Sequence, residues 1–426
     1  MANNVTDERE RSLMADFRAL MAKDKDYNLR QEADMDVQYP TGYLPLDYLI
    51  GQRVHVDDPE NGRVFDYDSI GIVDGSYNLV IGRSGCGKST LVKQISKNIV
   101  APFKNGIIME DSIEGGITMT RNEFLVGMSA TETRERLIVR NSGISTETCY
   151  KRIKALHDIK ILTPEKFTYD TGLFDSSGNR IFKMEPTVYI IDSLAMLMPE
   201  KYTQEEEISG QMSTTASAKM IASFFKRVVP LLKGANIILF VINHITQQID
   251  INPYQHSKTH NIYLDQGETC PGGVTPFYLA NNIFRLYDNN KLSEDKELGI
   301  SGNFVTIKII KSRTSRSGVT TDLVFNQDTG FDPDLSLYIM LKKAGAIKGA
   351  GAFLYLDGYP DQKFAQKILK TILSQNEEFA NKFVDTCFDI LHNSIKTPVV
   401  SEFKENENKV TVMTKLSDRI RGLIPQ

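Results

Sequence analysis

Tyr77-Asn78-Leu79-Val80-Ile81-Gly82-Arg83-Ser84-Gly85-Cys86-Gly87-Lys88-Ser89-Thr90 is the stretch that decides the fold. Five residues suited to a buried strand run into a full G-x-x-x-x-G-K-[ST] phosphate loop, and a helical segment follows. The pattern has a mechanism. Glycines let backbone N–H groups wrap a phosphate, and the helix N-terminus adds a favourable dipole. Gly82, Arg83, Ser84, Gly85, Cys86, Gly87, Lys88, Ser89 and Thr90 are therefore the candidate nucleotide-binding residues. Lys88 can reach the β- and γ-phosphates of ATP, and the Ser89 hydroxyl can ligate Mg²⁺.

Working outward, such a site needs an acid at the end of a neighbouring buried strand to hold the metal's water shell. Thr187-Val188-Tyr189-Ile190-Ile191-Asp192 supplies Asp192. Hydrolysis needs a carboxylate to polarise the attacking water. Ile107-Ile108-Met109 ends in Glu110-Asp111-Ser112-Ile113-Glu114, and spacing does not choose among these acids. A further apolar run, 237–242, ends in Asn243-His244, on the ligand side of an open α/β sheet, where a γ-phosphate can be sensed. Lys308-Ile309-Ile310-Lys311-Ser312-Arg313 brings closely spaced cations to a strand end, suited to phosphate of nucleotide or DNA. His256 and His260 stand four apart with no third ligand in view, which argues against a metal site there.

From Tyr39 to about Asp334, β-branched runs alternate with helical segments. That pattern predicts an α/β fold, a mostly parallel sheet with helices on both faces. Strands are expected at 77–81, 106–109, 137–140, 188–192, 237–243, 282–286 and 304–311, and helices at 88–98, 146–157 and 213–233. Two alternating runs around a Gly/Asn/Asp turn at 167–183 read as an inserted β-hairpin. Residues 6–22 read as an amphipathic helix with Leu13, Phe17, Leu20 and Met21 on one face, to be buried on its own domain or on a neighbouring copy. Beyond Leu335, Lys363, Lys367 and Lys370 fall at helical spacing. Three units follow: a helical arm at 1–38, an ATPase core at 39–334 with its insert at about 160–186, and an appendage at 335–426. Two long, weakly patterned stretches, 198–213 and 245–275, leave the sheet edge that carries the phosphate loop, and loops of that length are usually functional.

The 426 residues contain 50 Lys and Arg against 54 Asp and Glu, a net charge of −4, with 41% hydrophobic and 24% charged residues. The balance is that of a globular chain and excludes coating of nucleic acid by bulk positive charge. Apolar runs are too short to span a bilayer, and residues 1–10 hold no apolar signal core. Four scattered cysteines form no C-x-x-C pair, so a reducing, cytoplasmic setting is expected, in the host cell's cytoplasm if the source is a bacteriophage.

Taken together these stretches resemble the RecA recombinase family, most closely its bacteriophage UvsX-like branch. Tyr39-Pro40-Thr41-Gly42 through Leu46-Asp47 is similar to the family's lead-in to the phosphate loop. Asp111-Ser112-Ile113-Glu114-Gly115-Gly116-Ile117-Thr118 resembles the phage segment that carries the catalytic acid, with one residue more between Asp and Glu. Asp192-Ser193-Leu194, Ile242-Asn243-His244, Gly272-Gly273, Lys311-Ser312-Arg313 and the closing stretch from Phe331 to Ile347 follow in family order, over roughly residues 39–355.

The resemblance implies a RecA-like P-loop ATPase core and a DNA-dependent ATPase using ATP and Mg²⁺. It implies a helical filament on single-stranded DNA that pairs with homologous duplex DNA, assisted by loader and single-strand-binding proteins and without a membrane. Glu114 would be the catalytic carboxylate, with Glu110 as the other candidate, and His244 the γ-phosphate sensor. Lys311 and Arg313 would reach ATP in the next protomer. Arg121 stands where the family often places an aromatic near the adenine. Stretches 198–213 and 245–275 would contact DNA, and the 6–22 helix would dock on a neighbour. Two alternatives share the core: a replicative ring helicase, disfavoured by the 38 residues before Tyr39, and a regulatory ATP-binding filament protein with weak hydrolysis.

Overall fold

The computed structural model describes residues 36–58, 63–115, 120, 123–124, 127–174, 180–203, 214–247, 261–289, 302–326, 329–393 and 410–413. The expected helix at 6–22, Arg121 and the central parts of both long stretches lie outside the described residues, as do His256 and His260.

Nine strands form the main sheet. In chain order they are β1 (Tyr77–Gly82), β2 (Ile107–Ser112), β3 (Leu137–Arg140), β4 (Thr187–Asp192), β5 (Ile237–His244), β6 (Asn282–Asn289), β7 (Gly302–Ser312), β8 (Thr320–Asn326) and β9 (Gly330–Asp332). Their order across the sheet is β9-β8-β7-β6-β1-β5-β4-β2-β3. The six strands from β6 to β3 are parallel, and β7, β8 and β9 continue the sheet antiparallel. All seven expected strands are present, each within three residues of its expected ends. Buried on both faces, β1, β4 and β5 carry the near-continuous apolar runs that parallel strands require.

Side chains alternate between two cores. Val80, Ile190, Phe240 and Phe284 face α1 (Lys88–Val100), which contributes Leu91, Ile95 and Ile99. Leu79, Ile81, Ile191 and Val241 face α2 (Thr146–Leu162) and α3 (Thr214–Leu232), which contribute Ile153, Phe225 and Val228. Ser145 and Thr148 close a capping box at the start of α2.

The lead-in packs on the end of α1. Gly42 has φ +87°, and a Cβ there would fall 2.0 Å from the Asn98 amide nitrogen. Asn98 instead donates to the Thr41 carbonyl at 2.8 Å. Asp47 is buried and accepts from the Thr41 N–H at 2.7 Å, and burial pushes its carboxyl up to about 7.

The insert is a hairpin of Thr168–Phe174 and Arg180–Met184, with its turn at 175–179 outside the described residues. The Tyr169 and Tyr39 hydroxyls meet at 2.8 Å, and the Tyr169 ring meets Phe103 edge-on. Lys160, buried, fixes the return from hairpin to sheet by donating to the Glu185 carbonyl at 2.7 Å and to Thr187 Oγ1 at 3.2 Å.

A second antiparallel hairpin, Gln52–Asp58 with Arg63–Ser69, precedes β1 and is not foreseen in the sequence. Past β9, α4 (Pro333–Lys343) and α5 (Glu377–His392) enclose a third core with Leu335, Tyr338, Phe379 and Phe383. Here the expected lysine-bearing helix is corrected. Lys363 lies on the strand Tyr359–Phe364, Lys367 in a single 3₁₀ turn and Lys370 on the helix Leu369–Gln375. The helical spacing of these three lysines therefore crosses three different elements.

Burial lowers the Lys160 ammonium to about 7. Between pH 7 and about 10 the unfolded chain holds the proton that the folded chain has shed, so this group's penalty on folding fades as pH rises. The thermal midpoint of the wild type, relative to Lys160→Met, should therefore climb from pH 7 to pH 9.5. A difference independent of pH would refute the burial account.

Candidate active site

Parallel pairing brings the carboxyl ends of six strands to one edge. Gly82 pairs with His244 on one side of β1 and with Leu286 on the other, while Asp192 pairs with Ser112 and Ile242. The phosphate loop leaves this edge from Gly82. Gly85 and Gly87 hold φ of +82° and +85°, the left-handed conformation that glycine adopts without strain. Gly85 has open space where a side chain would stand, so the backbone cradle is free to receive a phosphate. Arg83, Ser84 and Gly85 are exposed, Ser89 and Thr90 half-buried, and Cys86 buried with its thiol 3.0 Å from the Arg83 carbonyl.

Lys88 is buried, and burial lowers its pKa. Its ammonium donates to the carbonyls of Gly82 at 3.1 Å and Arg83 at 2.7 Å, and stands 3.4 Å from His244 Nδ1. An ammonium carries only donors, so Nδ1 is the acceptor and Nε2 bears the imidazole proton. Nε2 donates to Glu114 Oε1 at 2.7 Å, and the same oxygen accepts from Ser193 Oγ at 2.5 Å. Partial burial would raise the Glu114 carboxyl. The hydrogen bonds from Ser193 and His244 and the nearby Lys88 charge outweigh it and hold the group below its usual range. Asp192 accepts from the Ser89 hydroxyl, and burial raises its pKa despite that bond.

Glu110 and Glu114 have different surroundings. Glu110 is buried on β2, and its Oε1 forms an ion pair with Lys93 of α1 at 2.9 Å, both side chains shut away from solvent. Asp111 is also buried, accepting from the Cys149 thiol at 3.1 Å and from Tyr189 and Arg152. Only Glu114 of the acids at this strand end stands open, beside His244 and Ser193.

The structure thus brings together Lys88, Ser89, Asp192, Glu114 and His244. Lys311 and Arg313 are elsewhere. Ile283 of β6 pairs with Lys311 and with Leu79, and the Arg313 N–H bonds the Asn281 carbonyl level with Tyr77. Both cations therefore sit at the amino end of β1, the opposite edge of the sheet from the phosphate loop. Lys311 donates to the carbonyls of Phe277 at 3.1 Å and Tyr278 at 2.7 Å, and its partial burial lowers its pKa.

Sequence reasoning assigns no role to Ser193, although it follows Asp192 directly. It also misses the Lys93 partner of Glu110. A lysine five residues after Lys88, on the α1 face that packs on the sheet, is the signal that could have found it.

The long stretches also acquire local structure. Glu200–Thr203 is a single helical turn in the first. In the second, Thr246–Gln247 pairs with Glu268–Thr269, and Thr275–Leu279 is helical. Residues 204–213 and 248–260 lie outside the described residues.

Removing one partner of the Lys93–Glu110 pair leaves a buried charge uncompensated. Glu110→Gln or Lys93→Met should destabilise the chain by about 3–5 kcal/mol, and Lys93→Met with Glu110→Leu should recover most of that loss. Urea unfolding of the three variants checks this. Equal stability of single and double variants would show that the pair is not buried as described.

No family model matches the chain. It is similar to the energy-coupling factor transporter ATP-binding protein EcfA2 of Enterococcus faecalis, at 25% identity over 256 residues, 57% of this chain and 79% of that protein. A protein of the same name from Clostridium tetani is 25% identical over 225 residues, 45% of this chain and 77% of that protein. The chain is also similar to the protein of Enterobacteria phage T4 named "Recombination and repair protein", at 28% identity over 165 residues. That match covers 38% of this chain and 38% of the phage protein's length. With its nine-stranded, mostly parallel sheet and its phosphate loop, the chain is an α/β protein with a RecA-like P-loop ATPase core, similar to ATP-binding proteins and to a phage recombination and repair protein.

Proposed function

We propose that this chain is a DNA-dependent ATPase of the RecA recombinase kind, closest to the phage UvsX-like branch. It assembles head to tail on single-stranded DNA and promotes homologous pairing and strand exchange. One observation carries the reading. Lys88, Ser89, Asp192, Glu114 and His244 converge on the edge from which both long loops depart, while Lys311 and Arg313 lie at the far edge. Cations at that distance cannot serve their own chain's phosphate loop, and suit the loop of the next copy. The likeness to the T4 protein supports the recombination part, and the likeness to transporter ATP-binding proteins supports nucleotide binding alone.

The residues present fit ATP and Mg²⁺. The Gly85 cradle is open, Lys88 holds replaceable carbonyl partners, and the Ser89–Asp192 pair offers oxygens of the type Mg²⁺ prefers. Ser89 would ligate the ion directly and Asp192 through its water shell, and the bound ion neutralises charge on the β- and γ-phosphates. Backbone N–H groups from Arg83 to Thr90 wrap the phosphates, and Lys88 turns from the Gly82 and Arg83 carbonyls to the γ-phosphate. Glu114, ionised at neutral pH, accepts a proton from the attacking water. His244, already bonded to Glu114 and facing Lys88, senses the γ-phosphate and passes the change to the chain that follows it. Lys311 and Arg313 reach the phosphates bound by a neighbour, and Arg121 contributes to adenine binding. The loops at 198–213 and 245–275 contact DNA, and the 6–22 helix docks on the adjoining copy. Each part completes another's site, which couples assembly, DNA binding and turnover.

ATP turnover with and without single-stranded DNA tests the reading, and no stimulation by DNA would sink it. Lys88→Ala should abolish turnover, and Glu114→Gln should lower kcat about 100-fold with ATP binding retained. A Glu114→Gln chain of normal kcat would return the catalytic place to another acid. In subunit-mixing assays, Arg313→Ala chains should disable their neighbours' sites. Loss confined to the variant's own share of turnover would refute action in trans. Electron microscopy with DNA and an ATP analogue separates this reading from a ring helicase, by open filaments against closed hexamers.

A further inference from the structure

The second long loop leaves the sheet through a narrow neck. Its outgoing strand, Thr246–Gln247, pairs antiparallel with its returning strand, Glu268–Thr269. The outgoing chain comes from β5, and the Ile245 N–H donates to the Gly82 carbonyl of β1 at 3.2 Å. The returning chain is held on the other side of β1 by Arg285 of β6, which pairs in register with Ile81. Its guanidinium donates to Glu268 Oε1 at 2.8 Å and stands 3.0 Å from Asp265 Oδ2. Arg285 and Glu268 are nearly closed to solvent, and the guanidinium lies 4.5 Å from the centre of the Tyr287 ring. Glu268 Oε2 takes the Asp265 N–H at 3.1 Å, so both carboxylate oxygens are engaged. The neck thus bridges the carboxyl end of the phosphate-loop strand and is anchored on both flanks.

The Gly82 carbonyl is the shared part. It accepts from Ile245 in the neck and, at 3.1 Å, from Lys88. When Lys88 turns to a phosphate, this oxygen loses one of its two donors and the neck holds it alone. Such a change reaches the loop only if the neck cannot slide, and a buried planar fork gripping two carboxylates provides that restraint.

We propose that Arg285 is a positioning residue: its ion pair with Glu268 clamps the neck of the 248–267 segment across β1, so that nucleotide at the phosphate loop and ligand on the segment sense each other. The inference rests on the DNA-dependent ATPase reading for the identity of that ligand, but not for the clamp.

The test uses the full chain carrying Arg285→Met, Arg285→Lys or Glu268→Gln. Arg285→Met should keep turnover without DNA within about twofold, while the ratio of turnover with DNA to turnover without it falls roughly tenfold, the scale of an allosteric coupling. Hydrogen exchange at the neck amides 246–247 and 268–269 should respond to an ATP analogue in the wild type and cease to respond in Arg285→Met. Arg285→Lys should recover part of both effects. Glu268→Gln, which keeps Asp265 as a partner, should move both in the same direction by less, and it decides the matter if Arg285→Met does not fold. A variant in which both turnovers fall together with the thermal midpoint would make the pair merely structural and overturn the proposal. So would an unchanged ratio with unchanged exchange. A wild type that DNA does not stimulate would refute the DNA reading alone. The clamp then stands or falls on whether nucleotide alters exchange in the neck.

Discussion

The arrangement of the nucleotide edge depends on one register. Val80, Ile81 and Gly82 lie beside Ile242, Asn243 and His244 on one flank and beside Phe284, Arg285 and Leu286 on the other. A parallel sheet delivers all its carboxyl ends to one edge. The register decides which side chain stands beside the phosphate loop when the chain arrives there. A slip of one residue would turn every side chain of the slipped strand to the other face, sending β5's apolar residues into the wrong core and His244 away from Glu114. The two cores, one against α1 and one against α2 and α3, forbid that slip because each alternate residue already has a dry place on one side. Apolar packing thereby sets the position of the polar groups.

Those polar groups are satisfied among themselves before any ligand arrives. Lys88 leans on two carbonyls, Ser89 on Asp192, and Glu114 on Ser193 and His244. A phosphate entering the loop exchanges partners rather than filling unmet needs. Exchange of this kind keeps the net gain per contact modest, since a new hydrogen bond replaces an old one.

Much of the fold is legible in the sequence because it rests on local signals. The runs leading into Gly82, Asp192 and His244 are too short for helices and too apolar for loops, and each is a strand. The acids Glu110 and Glu114 are not separable that way. What distinguishes Glu110 from Glu114 is a lysine on a helix packed against the strand, a contact between different elements that no spacing within 107–114 contains. Arg285 and Glu268 are hidden for the same reason: seventeen residues apart, they meet only because the neck folds back across β1. In the C-terminal region the lysine spacing at 363, 367 and 370 imitates a helix, while Phe364 fills a core beside Tyr338 and Phe379 and draws the first of those lysines into a strand.

Two buried groups far from that edge have a consequence for proton balance. Asp47 and Lys160 each titrate in the folded chain at about 7, the acid raised and the base lowered by burial. On unfolding near neutral pH, Asp47 releases a proton and Lys160 takes one up, so the two exchanges oppose each other. Below neutrality the folded chain binds the extra proton through Asp47, and acidification favours it. Above neutrality the unfolded chain binds the extra proton through Lys160, and alkali favours the folded form. These two groups alone therefore place a minimum of stability near neutrality, with acid favouring the folded form through one and alkali through the other.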